Sequence, residues 1–261
     1  SSQQDSKIPY RDIAEQLSRI PLLLKLLKLS PVFDIEIEQA LTVLRCAMIE
    51  ATIAGKTDEM SLPFSTALAL HCFVNEYVFA ETEEEKEAVE KLETQIATLL
   101  ENSQTVPPSF VVALGAYRPL FRFSWAKALS EGKWEEDIRS VIKRQITEPL
   151  EERSLRDQIP SITPIQNTIS QLVRAQYEEN PYPRWIKTGI VYKSRNLGAV
   201  LKGPPRLFDL GDYTSPESPE ILIAGCGTGQ HALVTASKYL NAHVLAVDLS
   251  LNSLAYAERK T

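Results

Sequence analysis

The chain has 261 residues, 44% of them hydrophobic and 24% charged, with a formal net charge of −6, a balance typical of a soluble globular protein of one to two domains. Cys46, Cys72 and Cys226 are scattered with no C-x-x-C pair, which excludes a disulfide framework and a zinc site and places the protein in a reducing cytoplasm. The most apolar early stretch, residues 20–29, is interrupted by Lys25 and Lys28. It is too short to cross a bilayer, and no basic region precedes an apolar signal core at the start, so no membrane span is expected.

Charge and glycine divide the chain. Residues 1–164 carry a net charge of −8 and three glycines, whereas residues 165–261 carry +2 and seven glycines. An acidic, glycine-poor, Leu/Ala-rich first part reads as helical and a glycine-rich second part as α/β, with the boundary near Pro160 to Pro164. The expected fold class is α + α/β: a helical module over 1–162, a helix and basic connector over 163–219, and an α/β start over 220–261.

Within the first part, Asp34 precedes Ile37, Leu41, Leu44, Met48 and Ala51, an apolar face at helical spacing behind an N-cap. Residues 63–80 are nearly all apolar or aromatic and predict a helix buried in the middle of the module. Thr82 and Glu85 form a capping box ahead of Val89, Leu92, Ile96 and Leu99. Glu83, Glu84, Glu85 and Glu87 read as first-turn charges complementing the helix dipole, in preference to a metal cluster. Pro107-Pro108 begins a further helix running to about Phe123, and another spans Trp134 to Glu152. No 34-residue self-similarity accompanies these helices, so a helical bundle is expected and a repeat array is not.

At the junction, Thr163-Pro164 predicts a helix with Ile165, Ile169, Leu172, Val173 and Tyr177 on one face, ended by Asn180-Pro181. From residue 181 to 208 there are no acids and six bases, Arg184, Lys187, Lys193, Arg195, Lys202 and Arg206. Interleaved with Tyr182, Trp185 and Tyr192, they suit either a solvated connector, which the acidic chain favours, or a groove for an RNA strand or an acidic partner.

The richest segment follows. Ile221 to Ala224 is a short apolar run suited to a strand buried on both faces of a parallel sheet. It breaks into Gly225-Cys226-Gly227-Thr228-Gly229, where bare backbone lets a ligand lie against main chain. Leu233, Ala236 and Leu240 then recur at helical intervals, and the turn feeds a helix N-terminus whose N–H groups favour a polar or anionic ligand. Asn241 ends that helix, residues 242–247 form a second strand, and Asp248 lies at its carboxyl end, 19 residues after Gly229. There an acid can accept hydrogen bonds from both hydroxyls of a ribose. Ser250 caps the next helix. Cys226 reads as a small side chain packed under the turn, not as a nucleophile.

The G-x-G-x-G spacing, with Gln230 where the dinucleotide fingerprint has its last glycine, resembles the first motif of class I S-adenosylmethionine-dependent methyltransferases. Gly225, Gly227, Gly229 and Asp248 match that family residue by residue. One position departs: the family usually carries Asp or Glu two residues before the first glycine, where this chain has Ile223. The segment Gln176-Tyr177-Glu178-Glu179-Asn180-Pro181-Tyr182-Pro183-Arg184-Trp185 ahead of the motif is similar to bacterial members that carry helical, often tetratricopeptide-repeat, N-terminal regions. Asn180-Pro181-Tyr182 is also similar to the N-P-P-Y loop of amino-methylating enzymes. That loop follows the fourth strand, whereas this segment precedes the first glycine by 44 residues, so the role is not carried over.

The resemblance implies a Rossmann-like sheet, of which residues 221–261 supply the first β-α-β unit, with S-adenosyl-L-methionine held by Ala224, Gly225, Cys226, Gly227, Thr228, Gly229, Asp248 and Leu249. It further implies that Tyr177, Tyr182, Arg184 and Trp185 lie over the cofactor as a lid or substrate rim; the alternative is that these aromatics clamp the helical and α/β parts together. No residue is assigned as a catalytic base; His71 is expected in the core or on a helix surface, and for His231 a structural role is favoured over contact with the cofactor's carboxylate. With a seven-strand sheet as the family standard, two strands imply a portion of a longer methyltransferase that alone binds cofactor weakly, transfers no methyl group and self-associates through its strand edges. The methyl acceptor is unidentified, a protein being one candidate. A helical interaction scaffold on a degenerate cofactor fold, or an NAD-binding protein, are the alternatives.

Overall fold

The computed structural model describes residues 9–58, 61–164, 166–179, 181, 183–189, 193–204, 209 and 211–261. The chain forms two compact units, 1–150 and 151–261. The division falls inside a helix, ahead of the proline-bounded segment at which composition changes.

The first unit is all-helical: α1 Tyr10–Ser18, α2 Pro21–Leu29, α3 Ile35–Ile53, α4 Leu62–Val74, α5 Glu83–Glu101, α6 Pro108–Gly115, α7 Ala126–Ser130 and α8 Glu136–Ile142, followed by a wide π-turn at Lys143–Thr147 and the opening residues of α9 Glu148–Arg156, the rest of which belongs to the second unit. α4 is its centre. Apart from Pro63, every residue of that helix is buried, and α1, α2, α6 and α8 all pack against it. An all-round apolar helix has no solvent face to present, so neighbours on all sides are required. It ends at Val74, short of the expected Ala80, because Glu76 and Tyr77 turn left-handed with φ of 52° and 57°.

Caps fix the starts of the long helices. Asp34 accepts from the amides of Glu36 and Ile37 at 3.0 Å each. Thr82 and Glu85 complete the reciprocal box, with Thr82 N donating to Glu85 Oε2 at 2.9 Å and Glu85 N donating to Thr82 Oγ1 at 3.2 Å. Each such cap is worth about 1 kcal/mol. Glu85 does more than complement a dipole. It is buried, accepts a hydrogen bond from Tyr117 Oη at 2.5 Å and faces the fully buried Arg45 at 3.5 Å. The Arg45 guanidinium lies 4.1 Å from the Tyr117 ring and donates to the Ala80 carbonyl at 2.6 Å. A charge buried so deeply is tolerated only with such partners.

In the second unit, α10 Thr168–Glu179 and α11 Leu197–Lys202 precede β1 Glu220–Ala224, α12 Gln230–Lys238, β2 His243–Val247 and α13 Leu251–Lys260. α10 starts after Thr163-Pro164 because Asn167 supplies the cap, its side chain accepting from Ser170 N at 3.1 Å. β1 and β2 are parallel, with Ile223 opposite Ala246 and Leu222 opposite Leu245. The strands are not buried on both faces as their continuous hydrophobicity predicts. Ile223 is buried on the face it shares with Ala246, and α12 packs against β2. On the opposite face Leu222 and Leu245 are 63% and 60% exposed. Among the described residues, no helix is long and apolar enough to cross a membrane.

Candidate functional site

β1 delivers the chain into the glycine turn, and the turn is left-handed at each glycine: φ is 72° at Gly225, 53° at Gly227 and 81° at Gly229. These conformations are open to glycine and costly for residues with a Cβ. The glycines nonetheless serve different ends. A Cβ on Gly225 would meet open space, whereas one on Gly229 would lie 2.5 Å from the Ala257 Cβ of α13. Gly225 leaves main chain bare toward an open cleft, and Gly229 lets α13 approach the start of α12.

Asp248, at the end of β2, binds the turn directly. Its Oδ2 accepts from Gly227 N at 2.7 Å and its Oδ1 from Ser250 N at 2.9 Å. Three further turn amides are bonded as well. Gly225 N and Cys226 N donate to the Val247 carbonyl at 2.8 and 3.1 Å, and Gly229 N donates to the Cys226 carbonyl at 3.0 Å. These four amides are consumed in closing the turn on itself and on β2, while the amides of Gln230, His231 and Ala232 in the first turn of α12 have no acceptor among the described residues, as expected of a helix N-terminus. The site thus offers bare main chain at Gly225 beside the open N-terminus of α12.

The turn and the end of β2 line one side of an open cleft of about 1490 Å³, together with Tyr177, Arg174 and Pro183. Ala224, Gly225, Cys226, Gly227, Thr228, Gly229, Asp248 and Leu249 all lie on its wall. Thr228 is buried, and its hydroxyl donates to the Pro183 carbonyl at 2.8 Å. The Cys226 thiol is pushed up to about 11 by burial and by the Asp248 carboxylate, so it stays protonated near neutral pH and makes a poor nucleophile. Ile223, where the resembling family usually has an acid, is buried in the sheet.

The aromatic segment divides. Tyr177 is half-exposed on the cleft wall, as a rim residue would be. Arg184 and Trp185 are 8% and 9% exposed, and neither lines the cleft. Trp185 Nε1 donates to the Thr228 carbonyl at 2.8 Å, and its ring meets Tyr256 edge-on at 6.0 Å. Tyr182 lies outside the described residues.

Two side chains that sequence reasoning passed over complete the surroundings. Glu178 caps α13, its carboxylate accepting from Leu251 N at 2.8 Å and Asn252 N at 3.2 Å. Ser250 caps the same helix as expected, accepting from Ser253 N at 3.1 Å. Tyr256 Oη donates to the Trp185 carbonyl at 2.5 Å. Nothing local marks Glu178 or Tyr256, because each acts on a segment more than seventy residues away in sequence. His231 is exposed on α12, and His71 is buried in α4 of the other unit.

Among the described residues, no group of three or more His, Cys, Asp or Glu side chains is placed to hold a metal ion. No known protein family, curated protein or solved structure matches the chain.

Proposed function

We propose that the second unit is the cofactor-binding start of a Rossmann-like class I methyltransferase sheet, and that its ligand is S-adenosyl-L-methionine. One observation carries the reading: three left-handed glycines follow a strand whose parallel neighbour ends in an acid bonded to the middle glycine. The glycine spacing favours this ligand over NAD, since Gln230 stands where the dinucleotide fingerprint has its last glycine.

The fit is good on the adenosine side. The open space beside Gly225 admits a ligand against the backbone, and an Asp248 carboxylate holding two amides keeps lone pairs for a ribose hydroxyl. Gly225, Gly227, Asp248 and Leu249 would hold the nucleoside, and Tyr177 would border the space where an acceptor enters. When bound, the cofactor supplies an electrophilic sulfonium methyl group to an acceptor nucleophile. This chain's residues align that group and keep water from it.

A second reading, a helical interaction scaffold on a cofactor-like fold that binds no nucleotide, is favoured by Ile223: a buried aliphatic side chain cannot anchor the ammonium of a methionine moiety. Isothermal titration with S-adenosylhomocysteine and with NAD separates these readings. Saturable heat with S-adenosylhomocysteine and none with NAD is the expected result, weakened at least tenfold in Asp248→Ala. Binding of NAD alone, or of neither ligand, overturns the proposal.

A further inference from the structure

We propose that Trp185 is a positioning residue for the glycine turn, holding it in its ligand-ready shape together with Asp248; this rests on the reading that the turn binds S-adenosyl-L-methionine. The turn needs holding. Thr228 stands between two left-handed glycines, and glycine-flanked backbone has more conformations to escape into than any other.

Two anchors restrain it. Asp248 takes the Gly227 amide at 2.7 Å. The segment 183–185 takes hold of Thr228 twice: Trp185 Nε1 donates to the Thr228 carbonyl at 2.8 Å, and the Thr228 hydroxyl donates to the Pro183 carbonyl at 2.8 Å. This pair of bonds, one in each direction, sets the plane of the peptide that leads into Gly229 and so the start of α12.

The indole is itself held in place. Tyr256 Oη donates to the Trp185 carbonyl at 2.5 Å, the two rings meet edge-on with an interplanar angle of 71°, and Lys260 Nζ lies 5.2 Å from the indole centroid. Trp185 and Thr228 are both buried, where a carbonyl deprived of its donor has no water to turn to. Trp185 therefore touches no ligand and acts through Thr228. Its loss lowers the fraction of molecules with a competent turn, and apparent affinity falls in proportion to that fraction.

The experiment pairs titration with S-adenosylhomocysteine and indole N–H NMR on the full chain, which has three tryptophans. The expected result has two parts. Added ligand shifts the Trp185 indole resonance, assigned by its disappearance in Trp185→Phe, and leaves those of Trp125 and Trp134 in place. Trp185→Phe binds about tenfold more weakly than the wild type and still unfolds in a cooperative transition in the absence of ligand.

Thr228→Val, which keeps the indole bond and breaks the bond to Pro183, weakens binding in the same direction and serves if Trp185→Phe does not fold. If the wild type binds but both variants bind equally well, the positioning role is overturned and the cofactor reading stands. Weaker binding by Trp185→Phe with an unmoved indole signal means lost packing only, and also overturns it. If the wild type itself does not bind, both fall.

Discussion

His71 is a residue whose protonation differs between the folded and the unfolded chain near neutral pH. It is buried in α4, and burial lowers its imidazole below the ordinary value of 6.5, partly offset by backbone groups of Leu27 and Ser30. The folded imidazole stays neutral where the unfolded one takes up a proton. Stability is therefore whole above pH 6.5 and falls as the pH drops below it, by at most about 1.4 kcal/mol per pH unit. Urea midpoints measured from pH 7.5 to pH 5 should drop faster in the wild type than in His71→Gln. Parallel curves would mean that the buried imidazole protonates as readily as a free one.

Among the elements, the glycine turn and α13 depend on one another through Gly229 and Ala257. Gly229→Ala puts a Cβ into a left-handed residue and 2.5 Å from the Ala257 Cβ, a double penalty of about 2–4 kcal/mol. Gly225→Ala bears only the backbone part, about 1–2 kcal/mol, because nothing lies within 4 Å of the added carbon. The test is a double substitution: Ala257→Gly should recover the steric share of the Gly229→Ala loss and none of the loss at Gly225. Recovery at both positions, or at neither, would show that the helix and turn do not meet as described.

The same elements show what sequence discloses. Asp34, Thr82 with Glu85, and Ser250 mark helix starts because a cap is settled within three or four residues. The β-strand, glycine turn, helix, β-strand and acid were legible for the same reason, each being a short-range pattern. The end of α4 was not, since an apolar run gives no warning that Glu76 and Tyr77 will reverse. Trp185 stood out as an aromatic near a motif, but its bond to Thr228 spans 43 residues. Only the folded chain shows that it lies buried against the turn instead of over the cleft. The open face of Leu222 and Leu245 is likewise illegible, because a hydrophobic strand reads the same with a neighbour or without one.

At the scale of the molecule, the two units differ in how much apolar surface they bury. A single continuous core runs through the first, from Tyr10 to Ile146. Among the described residues of the second, the buried aliphatic, aromatic and thiol side chains are Trp185, Val200, Ile223, Cys226, Ala255 and Tyr256. Hydrophobic stabilisation follows buried area, so calorimetry should show two endotherms, the lower belonging to residues 151–261. S-adenosylhomocysteine at a hundredfold excess over its Kd should raise the lower one alone, corresponding to about 2.7 kcal/mol. A single endotherm, or a shift of the upper one, would contradict this division of stability.

The grip of Glu178 on Leu251 also joins two points 73 residues apart, closing the intervening chain into a ring with no covalent link. A protease nick within the ring would leave two fragments still fastened together. The piece bearing the glycine turn would then be exchangeable for a separately made copy, and the site could be rebuilt by mixing halves in a tube.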